Sequence, residues 1–178
     1  MNLPVNSKPP LKVDAAEAQT EEDQYLTFTL QQEMFAIGIL NIKEILEYGQ
    51  LTTVPLMPDF IRGVINLRGA VVPVIDLGAR FGGCQSEITK RTCIVIIEVA
   101  CDGEHQDLGV VVDTVSEVLE IPENNIQPAP TFGTHIRADF IEKMGKVNGK
   151  FVIILDVNKV LSVEEMASVS QIAEASVD

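Results

Sequence analysis

The sequence predicts an all-β protein made of two pseudo-symmetric units of about five strands, each closed into a small barrel and packed against the other. Three observations carry this prediction. One pattern occurs twice, in KEILEYGQLTTVPLMPDFIRGVINLRGAVVPVIDL from Lys43 and in SEVLEIPENNIQPAPTFGTHIRADFIEKMGKVNGKFVIILDV from Ser116. The apolar runs are short and β-branched, and they are punctuated by hairpin turns rather than by helices. Strands so short would leave open edges if laid flat, and closure into barrels removes those edges.

The elements follow in order. Residues 1–22 hold three prolines and several charges without an apolar period, which reads as a flexible tail. From Gln24, the apolar Leu26, Phe28 and Leu30 alternate with Tyr25, Thr27 and Thr29, the period of a half-buried strand, and Glu33 to Ile37 supply its hairpin partner. Ile39, Ile42, Ile45 and Leu46 fall at helical spacing, so a short helix is expected after Gly38. Ile61 to Leu67 and Val71 to Leu77 flank Arg68-Gly69 as a hairpin. Pro73 lacks a ladder donor, which predicts that its part of the second strand lies on an edge.

Thr92 to Val99 and Leu108 to Val115 are near-continuous apolar runs, as strands buried on both faces require, joined by a polar connection over Cys101 to Asp107. Asn148-Gly149 is the strongest hairpin signal in the chain. Ser162 and Glu165 form a capping box that opens a closing helix with Met166, Val169, Ile172 and Ala173 as its apolar stripe. The organisation expected is thus a tail over 1–22, two intertwined barrels over 23–161, and a C-terminal helix and tail over 162–178.

Both copies of the repeat run Glu-apolar-Leu-Glu, then a polar turn and two prolines, then Asp-Phe-Ile, and end in an apolar strand closed by Asp. Two apolar strands precede each copy. Two small barrels bury together a core that neither could bury alone, and the groove between them is a place for a partner.

Composition narrows the function. With 178 residues and 46% apolar content the chain can bury a core, and its net charge of −13 argues against nucleic acid and anionic membranes. No apolar run approaches the length of a spanning helix, so a soluble cytoplasmic protein is expected. The three cysteines, Cys84, Cys93 and Cys101, form no CxxC pair and read as reduced thiols. His105 and His135 stand outside any motif, and no nucleophile elbow, Walker loop, HExxH or dinucleotide fingerprint is present. No enzyme activity, cofactor or metal is expected.

Asp76, Asp113 and Asp156 end apolar strands. Carboxylates so placed could hold Mg²⁺ or accept a phosphoryl group, or they could cap the turns that follow. The Asn-Gly hairpin speaks against the parallel βα alternation of a receiver domain, and capping is the expectation. Arg68 at a hairpin tip could be a solvated turn residue or a planar anchor for carboxylates, within the fold or on a partner.

The segments DFIRGVINLRG (59–69) with VVPVIDL (71–77), and LGVVVDTVSEVL (108–119), with IQPAP (126–130) and ILD (154–156), resemble the signature segments of CheW-type chemotaxis coupling proteins. The resemblance spans Gln24 to Val169. It implies two SH3-like barrels around a shared core and no catalytic activity. It also implies a role joining the cytoplasmic tips of chemoreceptors to the regulatory domain of the histidine kinase CheA. Carried over by motif, Ile42, Gly63, Arg68, Val115 and Val118 match the receptor-contacting region, and Glu44 an acidic residue beside the hairpin arginine. The kinase contact is expected around Tyr48, Leu51 and Pro55. A scaffold of the same type serving a non-chemotactic pathway is the alternative.

Overall fold

The computed structural model describes residues 23–81, 86–101, 103–128, 140–161 and 165. The tail over 1–22 and the predicted closing helix, with Ser162 of its capping box, lie outside them, as does His135.

Eleven strands are described: β1 (Gln24–Leu30), β2 (Glu33–Gly38), β3 (Ile42–Glu47), β4 (Ile61–Leu67), β5 (Ala70–Asp76), β6 (Cys93–Cys101), β7 (Glu104–Val112), β8 (Thr114–Glu120), β9 (Ile126–Pro128), β10 (Ile141–Val147) and β11 (Lys150–Leu155). One short helix, α1 (Leu77–Arg80), follows β5. They form a six-stranded sheet in the order β8-β1-β2-β11-β10-β9 and a five-stranded sheet in the order β3-β6-β7-β5-β4. The sixth strand is the three-residue β9, one more than the expected five.

The two repeats exchange strands. Each sheet takes its leading hairpin from one half of the chain and its following strands from the other, joined by the parallel pairs β2–β11 and β5–β7. A single 3-10 turn at Ile39–Asn41 carries the chain from the first sheet to the second after β2, and Asp113 alone carries it back after β7. A repeat read along the sequence shows copies but not which copy's strands pair, so the barrels are mixtures of the two halves.

Both sheets curl. In the five-stranded sheet the outermost strands, β3 and β4, contribute Leu46, Ile65 and Leu67 to one cluster with Val72, Val74, Ile94, Ile96 and Val111. In the other, Ile121 after β8 and Ile126 of β9 meet Tyr25, Ala36, Val152 and Ile154. Between the sheets lies the largest cluster, which draws Phe28 and Phe35 from one sheet and Val95, Leu108 and Val110 from the other. This is the shared core that two small barrels need. Arg80 is seated where the halves meet, its guanidinium 5.1 Å from the centre of the Phe60 ring and 4.9 Å from that of the repeat-equivalent Phe140.

The helix expected after Gly38 is instead the 3-10 turn followed by β3, which pairs with β6. A bulge at Lys43 causes the misreading: Ile42 stands opposite Ile97 and Glu44 opposite Ile96. The extra residue breaks the alternation, so Ile42 packs on the shared core, Leu46 enters the barrel interior and Ile45 is 43% exposed. β8 has the equivalent irregularity, where Leu26 faces Val118 and Phe28 faces Val115. There the buried Thr27 hydroxyl donates to Glu117 O at 2.7 Å and accepts from Glu117 N.

Both expected hairpin tips form with left-handed φ at both turn residues, 54° and 87° for Arg68-Gly69 and 51° and 80° for Asn148-Gly149. Pro73 pairs with Val64 on β4, and the parallel ladder to β7 begins one residue later at Val74, so the part of β5 that holds proline has one strand neighbour only. The polar stretch expected as a connection between β6 and β7 is largely strand, paired out to Cys101 and Glu104. The run Leu108 to Val115 breaks at Asp113, whose amide donates to Thr29 O at 3.0 Å.

Candidate functional site

The β4–β5 tip reaches across the mouth of the five-stranded barrel to β3. Both turn residues adopt left-handed φ, the two-residue turn that matches strand twist, and the tip carries Arg68 on a paired two-strand support. Its guanidinium grips Glu44 with both arms, at 2.7 and 2.8 Å. Glu44 is recessed, with 25% of its side chain exposed, whereas 73% of Arg68 remains in solvent. The carboxylate holds the guanidinium above its ordinary pKa, chiefly through this hydrogen bond. A fork–fork contact of this kind fixes a plane, which a lysine could not do. Beside it, Lys43 donates to both oxygens of Asp107 at 3.0 and 3.2 Å. The two pairs, with Leu67 and Ile96, line a hollow of about 480 Å³.

Sequence reasoning placed six residues in one region, and the structure divides them. Arg68 and Glu44 are in contact. Ile42 on β3 and Val115 on β8 both pack at the margin of the shared core. Cys93 of β6, paired with Glu47 of β3, donates its thiol to the Arg91 carbonyl at 3.4 Å. Val118 is 46% exposed. Gly63 lies elsewhere: it is buried near the start of β4, and a Cβ there would collide with the Thr52 carbonyl oxygen and stand 3.4 Å from Leu51 Cβ.

Of the residues expected at the kinase, Tyr48 and Leu51 pack against the interior of the five-stranded barrel and Pro55 is exposed. Next to Pro55, Leu56 projects wholly into solvent at φ 61°. The sequence reading put Ile45 on the stripe of the expected helix and did not name Leu40 or Leu56, and all three are exposed. The repeat held the signal for one of them, since Ile45 occupies in Glu-Ile-Leu-Glu the place of Val118 in Glu-Val-Leu-Glu.

Each of the three aspartates accepts from at least one backbone amide. Asp76 is fully buried and accepts from Ala79 N, Ser86 N, Ser86 Oγ and Arg62 Nε, at 3.2, 2.8, 2.8 and 3.0 Å. Asp156 accepts from Asn158 N in the turn that follows. Asp113 departs from expectation, because it caps the β1–β2 turn through Gln31 N at 2.8 Å rather than its own following segment. Among the described residues no group of three or more His, Cys, Asp or Glu side chains could hold a metal ion, and no helix is long and apolar enough to cross a membrane.

Burial pushes the half-buried Cys93 thiol above its usual pKa, with the Glu47 charge adding to the effect. Cys93 is therefore expected to alkylate more slowly than a free thiol at pH 8, with the rate still rising beyond the pH at which a free thiol levels off. Iodoacetamide labelling followed by peptide mass mapping checks this. A rate equal to that of glutathione would refute it.

Two fused barrels, a charged tip beside exposed apolar residues on edge strands, and carboxylates tied into turns define an adaptor, a protein that works through its surfaces. The family profile of the CheW-like domain matches residues 24–165, and the chain belongs to that family. It is 36% identical to the chemotaxis protein CheW of Klebsiella aerogenes over 157 residues, 88% of this chain and 92% of that protein. It is 35% identical to the CheW of Bacillus subtilis over 86% of this chain and 95% of that one. The crystal structure of the scaffolding protein TtCheW from Thermoanaerobacter tengcongensis superposes with a TM-score of 0.73 at 35% identity, covering 82% of this chain and 97% of that one. The chain is a chemotaxis signalling adaptor.

Proposed function

We propose that this adaptor is a non-catalytic cytoplasmic protein that couples chemoreceptor tips to the regulatory domain of the histidine kinase CheA. The observation that carries the reading is the doubly bonded Arg68–Glu44 pair, a rigid polar landmark over a hollow next to exposed apolar side chains. Ile42, Glu44, Arg68, Val115 and Val118 then meet the receptor, with Gly63 acting indirectly. The kinase meets the segment containing Tyr48, Leu51 and Pro55. An aligned polar group set among apolar contacts gives orientation as well as affinity.

Arg68→Ala removes the fork and leaves Glu44 without its partner. Receptor affinity is expected to fall about tenfold, the size of one charge-assisted hydrogen bond, with an unchanged melting temperature because the arginine is exposed. Arg68→Lys should recover little of the loss, since a point charge cannot replace two parallel bonds. Titration against a purified receptor fragment and against the CheA regulatory domain reads both contacts. Equal weakening of both partners would show that the two surfaces are not separate, and failure of either partner to bind the wild-type chain would refute the coupling role.

A further inference from the structure

The second hairpin tip is the repeat-mate of the Arg68 tip, but its chemistry differs. In the first barrel the outer positions beside the tip are Asn66 and Val71, paired across the strands, and Asn66 Oδ1 caps the turn through Gly69 N. The corresponding pair in the second barrel is Lys146 and Phe151. Phe151 is 55% exposed, with Lys146 Nζ 5.9 Å from its ring centre. The fold does not require a phenylalanine here, since valine serves at the equivalent site.

The surroundings resemble a prepared surface. Phe151 shares a strand face with Ile153 and with Met144, and that face is the one that packs on the shared core further along. Past the edge of the other barrel the apolar face continues into solvent as a groove of about 500 Å³, lined by Met34, Met144, Phe151 and Ile153, with Glu33 and Lys150 on its rim. Lys146 and Lys150 make no ion pair among the described residues, unlike Lys43 and Lys159. Two lysines without an ion pair among the described residues, Lys146 against the Phe151 ring and Lys150 lining the groove, stand out in a chain with a net charge of −13.

We infer that this groove docks an acidic amphipathic segment of a partner protein, with an apolar side chain against Phe151, Met144 and Ile153 and carboxylates on Lys146 and Lys150. Charge complementarity selects the occupant: the lysines attract carboxylates, while Glu33 at the far rim repels them and fixes direction. The aliphatic stems of the lysines extend the apolar wall. This surface goes beyond the coupling role above and does not include Arg68 or Glu44.

The test uses the full chain and a synthetic peptide with repeating Glu-Leu-Glu-Glu-Phe-Glu order, titrated by calorimetry. Saturable binding is expected. It should weaken at least about tenfold in Phe151→Ser and in the double variant Lys146→Glu with Lys150→Glu. A peptide with lysines in place of the glutamates should ignore the wild-type chain and bind the charge-reversed variant. Arg68→Ala should bind the acidic peptide as the wild type does, which separates this surface from the proposed receptor contact. The inference is overturned if the acidic peptide does not saturate, if it binds the charge-reversed chain equally well, or if phosphatidylglycerol vesicles are captured in preference to it, which would make the groove a lipid contact. Should Phe151→Ser fail to fold, the lysine reversal still decides the matter.

Discussion

Replacing Asp76 by alanine is expected to destabilise the protein by about 3–5 kcal/mol, the range for breaking a buried ion pair from one side. The carboxylate is wholly buried and holds together three separate pieces of chain. It caps α1 through Ala79 N, ties down Ser86 through both its amide and its hydroxyl, and pairs with Arg62 at 3.0 Å on the bulge of β4. Arg62 in turn donates to Ser86 O, so the arginine and the aspartate close a loop around one residue. Removing Asp76 leaves a guanidinium that is 17% exposed without its counter-charge and several donors without an acceptor. For a chain of this length the loss lowers Tm by about 10 °C.

Asp76→Asn separates the two contributions. It keeps the shape and part of the hydrogen bonding but loses the charge, so its cost is smaller than that of alanine. Arg62→Met added to Asp76→Asn should cost less than the sum of the single changes, because the second substitution removes the charge that the first left unpaired. Denaturant melts of the four proteins give the cycle. A loss below about 1 kcal/mol in Asp76→Ala would show that water replaces the carboxylate freely.

The sequence made the elements legible because barrels are assembled from short-range signals. Alternation found β1 and β2, left-handed turn residues found the Arg68-Gly69 and Asn148-Gly149 hairpins, and the repeat showed that the halves would match. Strand exchange was not legible. β2 pairs with β1 of its own half on one side and with β11 of the other half on the other, while the turn at Ile39–Asn41 takes β3 into the second sheet, and no periodicity records this. The bulge at Lys43 concealed β3 for a related reason, since one inserted residue makes a strand that faces two environments resemble a helix face. At the site, the Arg68–Glu44 contact could be anticipated from a motif, while the distance of Gly63 from Arg68 could not. The two residues lie on one strand and its tip in sequence, but a buried glycine answers to the backbone that crosses it.

That crossing backbone gives the second large effect. Gly63→Ala is expected to cost about 2–4 kcal/mol, near the upper end for single substitutions. Its φ of 149° is a region that residues with a side chain seldom adopt, and the new methyl group would meet the Thr52 carbonyl, which is backbone and cannot rotate away. The same carbonyl accepts from Val64 N at 2.8 Å while Thr52 N donates to Val64 O at 2.9 Å. Relieving the clash therefore breaks the two bonds that hold segment 51–54 against β4. Gly145→Ala is the control. Its Cβ would meet side chains rather than backbone, Ile121 at 3.2 and 3.3 Å and Ile154 at 3.5 Å, with no positive φ to oppose it, and rotamer adjustment should keep the loss near 1 kcal/mol or less. Because Thr52 lies between Leu51 and Pro55, the displaced segment should weaken CheA regulatory-domain binding more than receptor binding, although the motif groups Gly63 with the receptor contacts. Thermal melts and parallel titrations of both partners decide the matter. A Gly63→Ala protein that melts like the wild type, or one that loses the receptor alone, would mean that Thr52 yields and that Gly63 serves the receptor surface after all.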